Sequence, residues 1–295
     1  MKKSIVTFAF VLLGILTVSA QKEFQGLAVY ASKTSSADIS KRLDGNKDMT
    51  PDVRKMIEER MKGVLEKTFV LNFDRSASIY KEEEKLEAPG QNGGNMRMMS
   101  SFLGGSGTYY KNVKEKIYSV DKEFMGKEFL IRDALPQLEW KMESETKQVG
   151  GYTCYKATAI KPISGSDFRN LRAKAEEKTE EKKEDKKAEK EQATNFMDGF
   201  EVPKDVVITA WYTPEIPVNQ GPEGYWGLPG LILEVNDGKT IILCTKVVMN
   251  TKEKAEIKAP SAGKVVTQKE YDEIFIAKMK EMENMGGGRG MRFGR

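Results

Sequence analysis

The sequence predicts a mainly β protein: a β-dominated α+β domain whose one large, curved antiparallel sheet forms a half-barrel or open barrel under two covering helices. Three observations predict it. Short segments of alternating apolar and polar residues recur along most of the chain, as expected for strands with one buried face. Turn residues separate them at short intervals, Asn236-Asp237-Gly238 being the clearest hairpin signal. Only two segments switch to helical spacing.

The strands expected in order are Gly26–Ser32, Thr68–Phe73, Ala77–Lys81, Gly107–Val113, Lys116–Asp121, Lys127–Ile131, Leu138–Thr146, Tyr152–Ile160, Asp205–Thr213, Leu231–Asn236 and Thr240–Val248. The first helix follows Thr50-Pro51, proline being favoured at the first helical position, and carries Val53, Met56, Ile57, Met61, Val64 and Leu65 at helical spacing. The second starts at Thr267, where Glu270 completes a capping box, and presents Tyr271, Ile274, Phe275, Met279 and Met282 on one side.

Residues 1–20 have the order of a cleavable export signal. Lys2 and Lys3 come first, an apolar stretch from Ile5 to Val18 follows, and Val18-Ser19-Ala20 supplies a small-residue exit. The apolar part is shorter than the about 20 residues a membrane-spanning helix needs, so no transmembrane anchor is expected after cleavage at Ala20. Residues 21–285 are expected to form one domain, and 286–295 a Gly/Arg-rich flexible tail. Two internal stretches look non-globular: the Gly/Met-rich 82–106, and 172–192, almost wholly Lys and Glu.

Loss of Lys2 and Lys3 lowers the formal net charge from +4 to +2, which gives no reason to expect nucleic acid as a partner. Histidine is absent from the whole chain, which removes the commonest general base, the Ser-His and Cys-His dyads and the usual zinc ligand. No cofactor motif is present. The two cysteines, Cys154 and Cys244, both fall within expected strands in an exported chain. One disulfide and two buried free thiols are equally compatible with that placement.

The most distinctive stretch runs from Trp211 to Val235. Pro214, Pro217, Pro222 and Pro229 alternate with Gly221, Gly224, Gly227 and Gly230, so a rigid loop joins two strands. Such a loop, bearing Trp211, Tyr225 and Trp226, serves either to plug one end of a barrel or to offer an aromatic recognition surface. The expected ligand- or partner-binding residues are Trp211, Glu215, Tyr225, Trp226, Gly227, Leu228, Pro229 and Gly230.

Within this stretch Gly227-Leu228-Pro229-Gly230-Leu231-Ile232 is the hexapeptide of the GLPGLI family of exported Bacteroidetes-type proteins. The runs Ala210–Pro217, Gly151–Ala157 and Phe69–Asn72 resemble that family too. The resemblance implies a secreted or periplasmic protein whose fold is related to the curved sheets of lipoprotein carriers. The chain departs from the family pattern in the Lys/Glu insertion between Ile160 and Asp205, in its tail and at Cys244.

Three functions remain open. The first is a non-enzymatic binding or carrier protein, whose curved sheet holds an apolar small molecule or a segment of an envelope protein. The second is a glycan-active enzyme using carboxylates, with Glu215, Glu223 and Glu234 around the loop. The third is copper binding through the thioethers of Met96, Met98, Met99, Met279, Met282, Met285 and Met291.

Overall fold

A computed structural model of the chain describes residues 24–37, 50–83, 107–167, 169, 172–173, 200–201, 203–250 and 255–286. The export segment, most of the two low-complexity stretches and the tail beyond 286 lie outside the described residues.

The strands are β1 (Gln25–Thr34), β2 (Glu66–Asp74), β3 (Ala77–Glu82), β4 (Tyr109–Asn112), β5 (Ile117–Phe124), β6 (Lys127–Ala134), β7 (Lys141–Val149), β8 (Tyr152–Pro162), β9 (Arg172–Ala173), β10 (Phe200–Glu201), β11 (Asp205–Thr213), β12 (Leu231–Asn236), β13 (Thr240–Met249) and β14 (Lys264–Val266). Helix α1 (Pro51–Leu65) lies between β1 and β2, and α2 (Gln268–Gly286) follows β14. Twelve strands form one open sheet in the order β14-β6-β5-β4-β3-β2-β1-β13-β12-β11-β8-β7, antiparallel throughout except for β14 beside β6.

All eleven expected strands are present. The largest displacement is at β7, expected from Leu138 but starting at Lys141, because Leu138 and Trp140 are drawn against the core before the edge strand begins. The parallel strand β14 was not expected: three residues are too few to show a period. Strands β9 and β10 pair with each other and bring together the two ends of the Lys/Glu insertion.

Alternation puts Ala28 and Tyr30 of β1, Phe69, Leu71 and Phe73 of β2, and Ile208 and Ala210 of β11 into one buried cluster. Burying apolar area on this scale, at about 25 cal/mol per Å², is the main driving force for the fold. The loop between β11 and β12 inserts Ile216, Val218, Tyr225 and Leu228 into the same cluster. A second cluster joins Tyr118, Val120, Phe124, Phe129 and Ile131 of β5 and β6 to Tyr271 and Phe275 of α2.

The sheet must curl around that loop. Lys111 of β4 binds the loop at Gly221, while Lys161 of β8 reaches Tyr225 four residues on. Strands β4 and β8 stand seven places apart in the sheet, about 34 Å at the usual strand spacing if the sheet were flat. Strand pairing does not close the barrel; a side-chain clasp does. Asp272 of α2 accepts from Ser164 Oγ at 2.7 Å and Ser166 Oγ at 2.6 Å, just beyond β8.

Both helices start where expected. Thr50 Oγ1 accepts from Val53 N at the start of α1, and Glu270 accepts from Thr267 N at 2.7 Å at the start of α2. The apolar stripe of α1 is only half used: Met61, Val64 and Leu65, toward its C-terminal end, are buried, whereas Val53 and Met56 stay exposed. Among the described residues no helix is long and apolar enough to cross a membrane.

Candidate functional site

The proline- and glycine-rich loop is held by its own backbone and by both walls of the sheet. Leu231 N donates to Ile216 O and Ile232 N to Gln220 O, each at 3.0 Å. Glycine is required twice in the hexapeptide. Gly227 has φ +92°, and a Cβ at Gly230 would lie 2.1 Å from Thr213 O. Trp226 Nε1 donates to Pro136 O at 2.7 Å, and Trp140 Nε1 donates to Trp226 O at 2.8 Å. Lys111, fully buried, donates to Gly221 O at 2.5 Å and Glu223 O at 2.7 Å.

The expected binding residues are therefore split. Trp211, Tyr225, Trp226, Leu228 and Gly230 are buried, whereas Glu215, Gly227 and Pro229 are exposed. Trp211 lies under the Lys147 ammonium, 4.3 Å from the ring centroid, and Lys147 pairs with Glu234 at 2.6 Å. Glu215 accepts from Thr153 N at 2.9 Å. Of these residues only Tyr225 lines the cavity between the strands and α2.

Cys154 and Cys244 are both buried and free, with thiol pKa values pushed up to about 11 by burial. Of the two alternatives left open by the sequence, the structure has two free thiols, with strands β12 and β11 between β13 and β8.

A cavity of about 550 Å³ lies between β3–β5 on one side, β8 and its following segment on the other, and α2. Its apolar lining is mostly aromatic: Phe69 stacks on Tyr80, Tyr109 on Tyr118, and Phe124 meets Phe275 with centroids 4.6 Å apart. One end is charged. Arg169 Nη1 donates to Glu223 Oε1 at 2.5 Å and Nη2 to Oε2 at 3.2 Å, while Arg169 Nε reaches Asp167 Oδ1 at 3.4 Å.

Lys161 Nζ joins this group, 4.8 Å above the Tyr225 ring and 3.5 Å from its hydroxyl. Lys122 approaches from β5, its ammonium 5.3 Å from the Tyr271 ring centroid. Burial opposes ionisation of Asp167, but Arg169 and Lys161 overcome it and pull the carboxyl down to about 2. Glu223 is lowered as well, Arg169 outweighing the burial. Burial lowers the Lys122 pKa. For Lys161, burial is outweighed by Tyr225, Asp167 and Glu223, and the pKa rises.

Neither depressed carboxyl suits the general acid that glycan hydrolysis needs, since that role calls for a raised pKa. The three glutamates around the loop are engaged separately: Glu215 by a backbone amide, Glu234 by Lys147 and Glu223 by Arg169. Of the methionines considered for copper, Met96, Met98, Met99 and Met291 lie outside the described residues, and Met279 packs beside Tyr271 and Phe275. Among the described residues no group of three His, Cys, Asp or Glu side chains is placed to hold a metal ion.

Reading the sequence missed Lys122, Lys161, Asp167 and Arg169. A signal for the lysines was there: Lys122 shares register with Tyr118, Val120 and Phe124, and Lys161 with Ala157 and Ala159, so both stand at inward positions of their strands. Arg169 and Asp167 had none, because they precede the charged insertion in a segment without periodicity.

The family model described as "Protein of unknown function (Porph_ging)", associated with the GLPGLI motif in Bacteroidetes proteins, matches residues 140–234. That span covers β7, β8, β11 and the whole loop. No curated protein matches the chain. Among solved structures the chain is similar to "Structure of PNGF-II in C2 space group", with a TM-score of 0.43 and 14% identity over 86% of this chain and 33% of that one. It is also similar to "Structure of PNGF-II in P21 space group", with a TM-score of 0.42 and 13% identity over 88% of this chain and 33% of that one. The chain thus spans about a third of the length of those structures.

Proposed function

Residues 140–234 carry the signature of the GLPGLI-associated family, and from that premise we propose that the protein is an exported binding protein that carries a small, largely apolar molecule in its cavity. The observation that supports this reading is the cavity itself. Its volume of about 550 Å³ lies within the range of small-molecule sites, and stacked aromatic pairs line it beside a few convergent polar groups. The plugged loop forms part of the wall through Glu223, Gly224 and Tyr225, and α2 forms another part. Export rests on residues 1–20, with cleavage after Ala20 and release into the periplasm or medium.

Titration of the purified mature chain with the neutral apolar dye N-phenyl-1-naphthylamine tests the reading. Saturable one-to-one binding is expected, weakened at least about tenfold when Val120→Phe or Leu138→Trp fills the cavity while the thermal melt persists. Absence of saturable binding by the unsubstituted chain, or equal binding by both folded filling variants, would refute it. N-terminal sequencing of protein from a cell envelope fraction checks export, with Gln21 expected as the first residue.

A further inference from the structure

The cavity wall carries charges of both signs, Lys122, Lys161, Arg169 and Lys269 with Glu123, Asp133, Asp167, Glu223 and Asp272, and Arg169 pairs with both Asp167 and Glu223. Lys161 has only the hydroxyl and ring of Tyr225 as neighbours within bonding range, and Lys122 only the ring of Tyr271. Neither ammonium has a carboxylate within 4 Å among the described residues. Lys161 is compensated at longer range by Asp167 and Glu223, whereas burial dominates at Lys122, so an arriving anion would offset a cost that Lys122 carries.

A second observation concerns the wall of the same cavity. Tyr80 is 3% exposed and lines the cavity, yet its hydroxyl makes no hydrogen bond. Stacking on Phe69 fixes its ring, and the hydroxyl feels the charges of Glu223 and Arg169 most strongly after its own burial. A buried phenol donor left unsatisfied is costly, and a bound acceptor would recover that cost. Of the other carboxylates in the lining, Asp272 accepts from Ser164, Ser166 and Gln268, and Asp133 from Gln268 N.

Building on the carrier reading, we infer that the ligand is an amphiphile with one anionic headgroup, seated between Lys122 and Lys161 with the Tyr80 hydroxyl donating to it. Its apolar body lies along Tyr109, Tyr118, Phe124 and Phe275. The shared chemistry is a compact oxyanion on a hydrocarbon, which a long-chain carboxylate or a monoalkyl phosphate would each supply. A free inorganic anion lacks the part that the aromatic lining would bury.

Displacement of N-phenyl-1-naphthylamine by dodecanoate, dodecyl phosphate, dodecanol and inorganic phosphate separates the cases. The charged amphiphiles should displace the dye at least about tenfold more tightly than dodecanol, and inorganic phosphate should not displace it. Whichever of the two acids binds more tightly identifies the headgroup. Lys122→Gln and Lys161→Gln should each erase most of that preference while dodecanol binding stays the same, and Tyr80→Phe should lower it about threefold to tenfold.

Carbon-13 NMR of carboxyl-labelled dodecanoate gives a readout on the unsubstituted chain, the bound carboxyl titrating below the free acid. Equal displacement by dodecanol and dodecanoate would overturn the inference while leaving the carrier reading standing. Displacement by inorganic phosphate alone, or a preference unchanged in both lysine variants, would also overturn it. If none of the amphiphiles displaces a dye that does bind, both readings fall.

Discussion

Trp140 and Trp226 are joined through the backbone of one and the indole of the other: Trp140 Nε1 donates to the carbonyl oxygen of Trp226 at 2.8 Å. Trp226 passes the link on, its own indole donating to Pro136 O at 2.7 Å. The segment between β6 and β7 is thereby tied to the middle of the hexapeptide loop. Trp226→Ala removes a side chain that is only 7% exposed and leaves Pro136 O without its donor. A loss of about 3–5 kcal/mol is expected by urea unfolding. Trp140→Phe keeps the ring volume closer and loses one hydrogen bond, so about 0.5–1.5 kcal/mol is expected.

The two motif glycines should differ from a glycine elsewhere. Gly230→Ala sets a methyl 2.1 Å from Thr213 O, a backbone atom that cannot turn aside, so a loss of about 3 kcal/mol or more is expected. Gly63, inside α1, has open space around it. Gly63→Ala should stabilise by up to about 1 kcal/mol, because alanine gives up less conformational freedom in a helix. Thermal melts of the two variants should therefore move in opposite directions.

Stability should depend on pH through Lys111. Burial lowers its pKa from 10.5 to about 7, so between those values the unfolded chain holds a proton that the folded chain has released. Stability then rises as pH rises above 7. Above about 9 the buried thiols act in the opposite sense, since the folded chain keeps protons that the unfolded chain gives up. Urea midpoints should peak near pH 9, and Lys111→Met should flatten the rise from 7. At the acid end, Asp167 contributes stability that is present above 3.8 and lost as pH falls to about 2.

The cysteines should behave as two inert thiols. Cys154 is fully buried and Cys244 is 6% exposed, and both thiols are harder to ionise than usual. Ellman's reagent should label neither quickly in the folded protein and both after unfolding in urea. Electrophoresis with and without reductant should show one mobility. A mass two units lower without reductant would contradict the free-thiol state.

Much of the candidate site was hidden in plain view. The loop advertised itself through composition, and its buried aromatic residues were singled out, but most of them close the fold and only Tyr225 reaches the cavity. The polar end of the cavity is assembled from β5, β8, the segment after β8 and the loop, so no single stretch of sequence contains it. Lys122 and Lys161 stood at inward positions, yet an inward lysine in one strand has no meaning until the facing strand is known.

The sequence by itself determined eleven of the twelve strands of the large sheet, both helix starts and the rigid loop, because alternation, helix caps and proline or glycine constraints act over a few neighbouring residues. Only the tertiary structure decided which strands meet, that Cys154 and Cys244 are free thiols, and which side of the sheet holds a cavity. Those outcomes depend on how far a twelve-stranded sheet curls around the loop it encloses. That curvature is set by contacts between residues more than a hundred positions apart, Lys111 with Gly221 among them.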